Sequence, residues 1–246
     1  MKKRALISAI AMLVVSAIVL TSATFAWFSM GKKVTVELFK ANVSEADGLL
    51  ISAYADKDFD TSVSLEAIRT AADTDLNIPG EEAKISPVSS NGNGTFIAGY
   101  LDDQGDLQTS VAADGSYYKI PLYIKYSGTE AATIALDGTT VSQGTGTKGT
   151  NAFKAVRVAT DKASYVFAPN SEASETFQYV ATAGGAAQTL SNVVTQADSN
   201  NLTFKLNPGS TTKVIVYVWL EGTDPQCTDD LAAGGDFTVD LAFVKR

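Results

Sequence analysis

Residues 213–220 read KVIVYVWL, and this stretch decides the fold class. Seven of its eight residues are apolar, so both faces of a strand with a period of two would be apolar. Val, Ile, Tyr and Trp are also the residues that strands favour. The stretch therefore predicts a central strand that is covered by other layers on both faces.

Two neighbouring patterns predict strands with one buried face. Residues 237–244 alternate, and the apolar positions on one face are Phe237, Val239, Leu241 and Phe243. Residues 117–126 also alternate, with Tyr118, Ile120, Leu122, Ile124 and Tyr126 on one face. Pro121 lies within this second stretch and cannot donate a hydrogen bond to a neighbouring strand. We therefore expect an edge or bulged strand there.

Shorter strand patterns fill the rest of the chain, separated by turn signals such as NGNG at 91–94 and NPG at 207–209. They cover residues 33–39, 49–54, 95–101, 152–159, 164–168 and 202–206. Residues 62–72 alone have helical spacing, with Ser62 or Ser64 as the cap. Many strands between short turns predict an all-β fold, a jelly-roll-like β-sandwich with one short helix. We expect residues 27–246 to form a single domain, preceded by an apolar N-terminal segment.

That N-terminal segment has the order of an export signal. Lys2, Lys3 and Arg4 precede an apolar run over residues 5–20. Small residues follow, with Thr24 at position −3 and Ala26 at position −1 of a cleavage site. Residues 1–26 are thus predicted to be a signal peptide, and Trp27 the first mature residue. The alternative is a retained transmembrane helix, since residues 5–28 are long enough to span a bilayer.

Residues 21–36, TSATFAWFSMGKKVTV, resemble the export signal and mature start of the TasA/camelysin family. Residues 214–243 are similar to the C-terminal end of clostridial proteins that carry the same signal type. The resemblance implies a Gram-positive secreted protein that is processed by a dedicated SipW-type signal peptidase. It also implies a subunit of an extracellular fibre or biofilm matrix, whose partners are copies of itself.

Composition excludes several classes of function. The formal net charge is −8, and loss of residues 1–26 with their three basic residues leaves −11, which argues against nucleic acid as a partner. The chain has no histidine, so neither a Ser-His-Asp triad nor an HExxH zinc site can exist. We expect no enzymatic activity and no small-molecule substrate. Cys227 is the only cysteine, so an intramolecular disulfide is impossible.

Strand donation is the assembly mechanism that we predict for such a subunit. Cleavage would free residues 27–39 as a strand that adds to the sheet of the next subunit. The residues predicted to form that interface are Trp27, Phe28, Val34, Val36 and Leu38. The alternative is that residues 33–39 are simply the first strand of their own sheet, because local pairing is the commoner arrangement.

Three alternating carboxylates form a candidate calcium site. Asp56, Asp58 and Asp60 place oxygen ligands at every second position of a loop, which suits Ca²⁺. The EF-hand pattern then fails, since Thr61 stands where it needs glycine and Ala67 where it needs glutamate. The competing interpretation is a solvated acidic loop before a helix N-terminus.

The sequence leaves open two functions other than a strand-donating filament subunit. The first is a pilin-like filament subunit that keeps its N-terminal hydrophobic helix. The second is a secreted module that binds carbohydrate or calcium.

Overall fold

The computed structural model describes residues 34–43, 48–78, 84–101, 107–111, 116–144, 152–169, 177–195, 203–227 and 236–246. The predicted signal peptide and the residues Thr24, Ala26, Trp27 and Phe28 lie outside them. Over the described residues the chain is all-β, with one α-helix and several sheets. No described helix combines the length and the apolar character needed to cross a membrane.

A six-stranded sheet contains the stretch that decides the fold. Its strands, in chain order, are β2 (Leu49–Ser52), β8 (Tyr118–Tyr126), β11 (Val156–Thr160), β12 (Val166–Ala168), β15 (Val193–Thr195) and β17 (Thr211–Leu220). Their order across the sheet is β15-β12-β11-β17-β8-β2. β17 is therefore an inner strand, antiparallel to both β11 and β8.

A seven-stranded sheet contains both ends of the described chain. Its strands are β1 (Val34–Val43), β3 (Ser62–Ser64), β4 (Lys84–Ile85), β9 (Ala132–Ala135), β10 (Thr140–Gln143), β16 (Thr203–Leu206) and β18 (Asp236–Lys245). The main order is β16-β9-β18-β1-β3, while β10 pairs with β18 and β4 pairs with β1.

Two small sheets complete the fold. One joins β5 (Val88–Ser89), β6 (Ile97–Leu101) and β7 (Leu107–Val111). The other is a pair of strands, β13 (Gln178–Val180) and β14 (Ala187–Thr189).

The alternating residues of β17 enter two separate hydrophobic cores, as its sequence predicts. Val214, Val216, Val218 and Leu220 join the core that the two large sheets share. Tyr217 and Trp219 point to the opposite face, where they pack with Val88, Phe96, Val166 and Leu190. Phe96 stacks on Tyr117 with ring centroids 3.8 Å apart and meets Trp219 edge-on. β17 is thus covered on both faces.

The buried faces that the two alternating patterns predict are confirmed. The five alternating residues of β8 and the four of β18 are each at most 2% exposed. The expectation of an edge or bulged strand is wrong for β8 as a whole, because β8 lies between β17 and β2 and pairs with both without a register shift. The reason is local: β2 pairs only with residues 123–126, so Pro121 lies beyond the end of β2, where no strand needs its missing N–H.

The predicted helix is shorter than its pattern. Helix α1 spans Leu65–Ala71, and Ser64 is the cap, with its hydroxyl accepting from the backbone N–H of Ala67 at 3.3 Å. Residues 62–64 form β3 instead, since they pair with β1. Ala72 ends the helix in the left-handed region at φ 48°.

Candidate functional site

The two terminal strands lie side by side and parallel. β1 pairs with β18 from Thr35 opposite Asp236 to Val43 opposite Phe243. On its other side β1 pairs antiparallel with β3 over residues 40–42 and with β4 over residues 34–35. β1 is therefore an inner strand whose backbone is bonded on both sides. Within the single chain, the predicted donor segment occupies its own sheet, which is the arrangement that the alternative interpretation expects.

A register shift interrupts β1. Val36 stands opposite Phe237 and Leu38 opposite Thr238, so Glu37 is the extra residue of a bulge. The strand that the sequence predicts over residues 33–39 therefore has an irregular register within β1. Farther on, Phe39 is 2% exposed and Ala41 fully buried, and both belong to the shared core.

The solvent-exposed side of the pair carries a polar contact that supports the register. The Asn42 side-chain amide donates to the carboxylate of Asp240 at 2.5 Å. Asp240 is opposite Lys40 in the parallel pair. Opposite charges at neighbouring positions on adjacent strands favour that register over a slipped one.

The structure does not bring the three predicted calcium ligands together as a site. Asp56, Asp58 and Asp60 are all exposed in the loop between β2 and β3. One oxygen of Asp60 accepts from the backbone N–H of Thr61 at 2.6 Å. Among the described residues, no group of three or more Asp, Glu, Cys or His side chains could hold a metal ion. Calcium binding stays a prediction.

A cluster that the sequence patterns did not indicate ties the loop after α1 to the outer face of the six-stranded sheet. The ammonium group of Lys213 lies 2.8 Å from carboxylate oxygens of both Asp73 and Asp75. Lys119 lies 2.8 Å from Asp75, and the Tyr123 hydroxyl donates to Asp73 at 2.5 Å.

The charges of this cluster stabilise one another. Hydrogen bonds from Lys119 and then Lys213 lower the pKa of Asp75 to about 2. Burial opposes the charge on Lys213, but its hydrogen bonds to Asp73 and Asp75 outweigh that effect and raise its pKa. Both partners thus favour their charged forms, which suits a surface clamp and disfavours the neutral amine that a nucleophilic lysine needs.

Buried charges lie at the end of β17. Glu221 is 2% exposed, and its carboxylate accepts from the Trp219 indole N–H at 3.0 Å and from the Thr223 hydroxyl at 2.8 Å. Burial raises the pKa of Glu221. Arg157 and Asp224 form a buried ion pair beside it. All the donors to Glu221 come from the fold itself, so these groups hold the loop after β17 in place.

Comparison of the chain with family models, with curated proteins and with solved structures finds no match. The arrangement of the terminal strands is therefore the observation from which we infer a function.

Proposed function

We propose that this protein is a secreted structural subunit of an extracellular filament or biofilm matrix, and that it has no enzymatic role. Copies of the chain would assemble by passing the N-terminal strand to a neighbour. The observation that supports this is the position of β1, an inner strand at one end of the described chain, parallel to β18.

An inner strand at one end of the described residues could leave its sheet without breaking the pairs between the other strands. Withdrawal of β1 would expose the edges of β18, β3 and β4, which are unsatisfied backbone groups on both sides of one groove. The vacated places of Phe39 and Ala41 would form its apolar floor. The same strand from another copy would restore every one of these contacts.

Exchange of identical strands between chains costs little free energy, because the strand pairs that are lost within one chain form again between two chains. Only residues 44–48 separate β1 from β2. A short connection of this kind favours exchange of β1 between chains over its return to its own sheet. Each copy would then give one strand and receive one, which produces an open, head-to-tail filament. We include a jelly-roll-like sandwich in this proposal. It fits the two large sheets, in which neighbouring strands are often distant in the sequence.

Export is the other half of the proposal. Cleavage after Ala26 by a SipW-type peptidase would leave Trp27 at the start of the mature chain, ahead of β1. The intact mass of the secreted protein measures this directly. A mature chain that retains residues 1–26 would favour the pilin-like alternative, in which the hydrophobic helix stays.

The decisive experiment compares the chain from Trp27 with a chain that begins at residue 44. We expect the longer chain to form filaments in negative-stain images. The shorter one should stay a β-rich monomer of lower melting temperature.

A synthetic peptide of residues 27–43 should bind the shorter chain and raise its melting temperature, since a ligand of the native state stabilises it. The same peptide with Ala41→Asp is the matched control, because it would bury an unpaired carboxylate. Val36→Asp in the longer chain should likewise weaken assembly. An unfolded shorter chain that the peptide does not rescue would overturn strand donation.

A further inference from the structure

A cleft of about 390 Å³, lined mostly by residues with polar side chains, opens on the side of the molecule that carries Tyr217 and Trp219. Its walls are the loop of Asn91, Gly92 and Asn93, the turn between β11 and β12, and Asn192. A smaller cleft of about 190 Å³ adjoins it across the same two asparagines and reaches Tyr179. The pair forms a groove of the size that small ligands occupy.

The loop that divides the groove is held rigidly against the sheet. Gly92 and Gly94 both have positive φ, at 84° and 86°. A Cβ atom on Gly92 would come within 2.7 Å of Val166, and one on Gly94 within 2.7 Å of the Tyr217 hydroxyl. Only glycine combines this backbone conformation with such close approach, so the groove exists before any ligand binds.

Backbone N–H groups of this loop donate hydrogen bonds to the side-chain oxygens of its two asparagines. Asn91 accepts from the N–H of Asn93 at 3.1 Å, and Asn93 accepts from the N–H of Thr95 at 2.9 Å. A backbone N–H can donate only to the oxygen of a side-chain amide. The NH₂ groups of Asn91 and Asn93 therefore point away from these two hydrogen bonds. Among the described residues, no protein group accepts a hydrogen bond from either NH₂ group.

The opposite wall offers an acceptor and a ring. The Asn192 amide donates to the backbone carbonyl of Ser164, which leaves its side-chain oxygen to accept. Tyr165 is 42% exposed, and among the described residues no other large hydrophobic side chain is classed as exposed. The exposed ring of Tyr165 and the side-chain oxygen of Asn192 therefore line the same cleft as the side chains of Asn91 and Asn93.

The geometry points to a binding site for a neutral oligosaccharide in this groove. A sugar ring has an apolar face, which stacks on an aromatic ring, and hydroxyl groups, which both donate and accept. Tyr165 supplies the ring, Asn91 and Asn93 the donors, and Asn192 the acceptor.

An anionic ligand fits this groove less well. Asp161 adds a carboxylate to the wall, already bonded to Lys162 and to the N–H of Ile215. None of the residues lining the described clefts is an arginine or a lysine. The site lies across the six-stranded sheet from the β1–β18 pair, so it does not depend on strand donation.

The test uses isothermal titration calorimetry on the chain that begins at Trp27, with neutral hexasaccharides of glucose, galactose, mannose and N-acetylglucosamine as probes. We expect at least one of them to bind with a Kd of about 1 mM or tighter. Tyr165→Ala should weaken that binding about tenfold, whereas Tyr165→Phe should keep most of it.

Asn91→Ser and Asn93→Ser should each weaken binding about fivefold, because serine can still cap the loop but its side chain no longer reaches into the groove. Asn207→Ser, at an exposed turn elsewhere, is the control and should bind as the parent chain does. Circular dichroism confirms that each variant is folded.

Absence of heat with all four probes at about 5 mM would overturn the inference. Binding that Tyr165→Ala and both serine variants leave unchanged would also overturn it, as would binding of polygalacturonate alone. Filament formation by Tyr165→Ala separates the two proposals, since that variant should assemble normally even where it fails to bind sugar.

Discussion

The two large sheets share one core, yet each holds its central strand in a different way. In the six-stranded sheet, β17 lies between two antiparallel partners and is covered on both faces. In the seven-stranded sheet, β1 also has partners on both sides, but it pairs in parallel with β18 and stands at one end of the described chain. The comparison separates burial from attachment: our proposal requires that β1 can leave its sheet, whereas nothing in it requires β17 to move.

The largest effect should come from a charge in the six-stranded sheet. Val216 is fully buried in β17, opposite Ile120 of β8. Val216→Asp would bury an unpaired carboxylate at a cost of at least about 4 kcal/mol. We expect the whole chain to lose its β-sheet circular dichroism and become unfolded at neutral pH.

The matched change in the other sheet sharpens the comparison. Ala41 is equally buried in β1, so Ala41→Asp introduces the same charge into the same core. We expect release of β1 alone, with hydrogen exchange rising in β1, β3 and β18 and the six-stranded sheet still protected. Complete unfolding by Ala41→Asp would show that β1 is as firmly attached as β17.

The buried ion pair should give the next largest effect. Arg157→Met leaves Asp224 as an uncompensated charge and should lower the free energy of unfolding by about 3 to 5 kcal/mol. Urea denaturation measures the loss. The double variant with Asp224→Asn should recover most of it, because the buried charge is gone. Equal losses in the single and double variants would show that the pairing itself does not matter.

The next prediction concerns the contribution of the buried Cys227 thiol to stability. It is 4% exposed in the shared core, after the end of β17. Cys227→Ser should lower the free energy of unfolding by about 1 to 2 kcal/mol, because a hydroxyl is less well accommodated in an apolar site. Assembly should persist, with or without a reductant. Loss of filaments on reduction would indicate a disulfide between chains.

The smallest effect concerns the surface cluster of Lys213, Lys119, Asp73 and Asp75. Asp75 has its pKa lowered from 3.8 to about 2, so its ionised form stabilises the folded state. That contribution is complete well above pH 4, shrinks as the pH falls below 4, and is lost as the pH falls through about 2. Asp75→Asn should therefore lower the melting temperature slightly at pH 6 and clearly less at pH 2. A difference of the same size at both pH values would argue against a charge effect.

Local patterns predicted the strands that build the core and did less well elsewhere. A period of two identified the buried faces of β8 and β18, because alternation places every second side chain on the same face. Most of the strands that escaped prediction have only two to four residues, which contain too little alternation; they are β3, β4, β5, β7, β9, β10, β13, β14 and β15. In β1 a bulge at Glu37 makes the register irregular, and bulges leave no clear mark in composition.

By itself, the sequence determined the all-β class and the double-sided burial of β17, because both follow from the spacing of apolar residues along a single strand. Only the tertiary structure decided which strands are neighbours. It placed Lys213 beside Asp73, 140 residues away, and β18 in parallel with β1. The physical reason is that hydrophobic burial is non-directional: it selects which face of a strand turns inward, whereas sheet order depends on chain connectivity and on hydrogen bonds between distant segments.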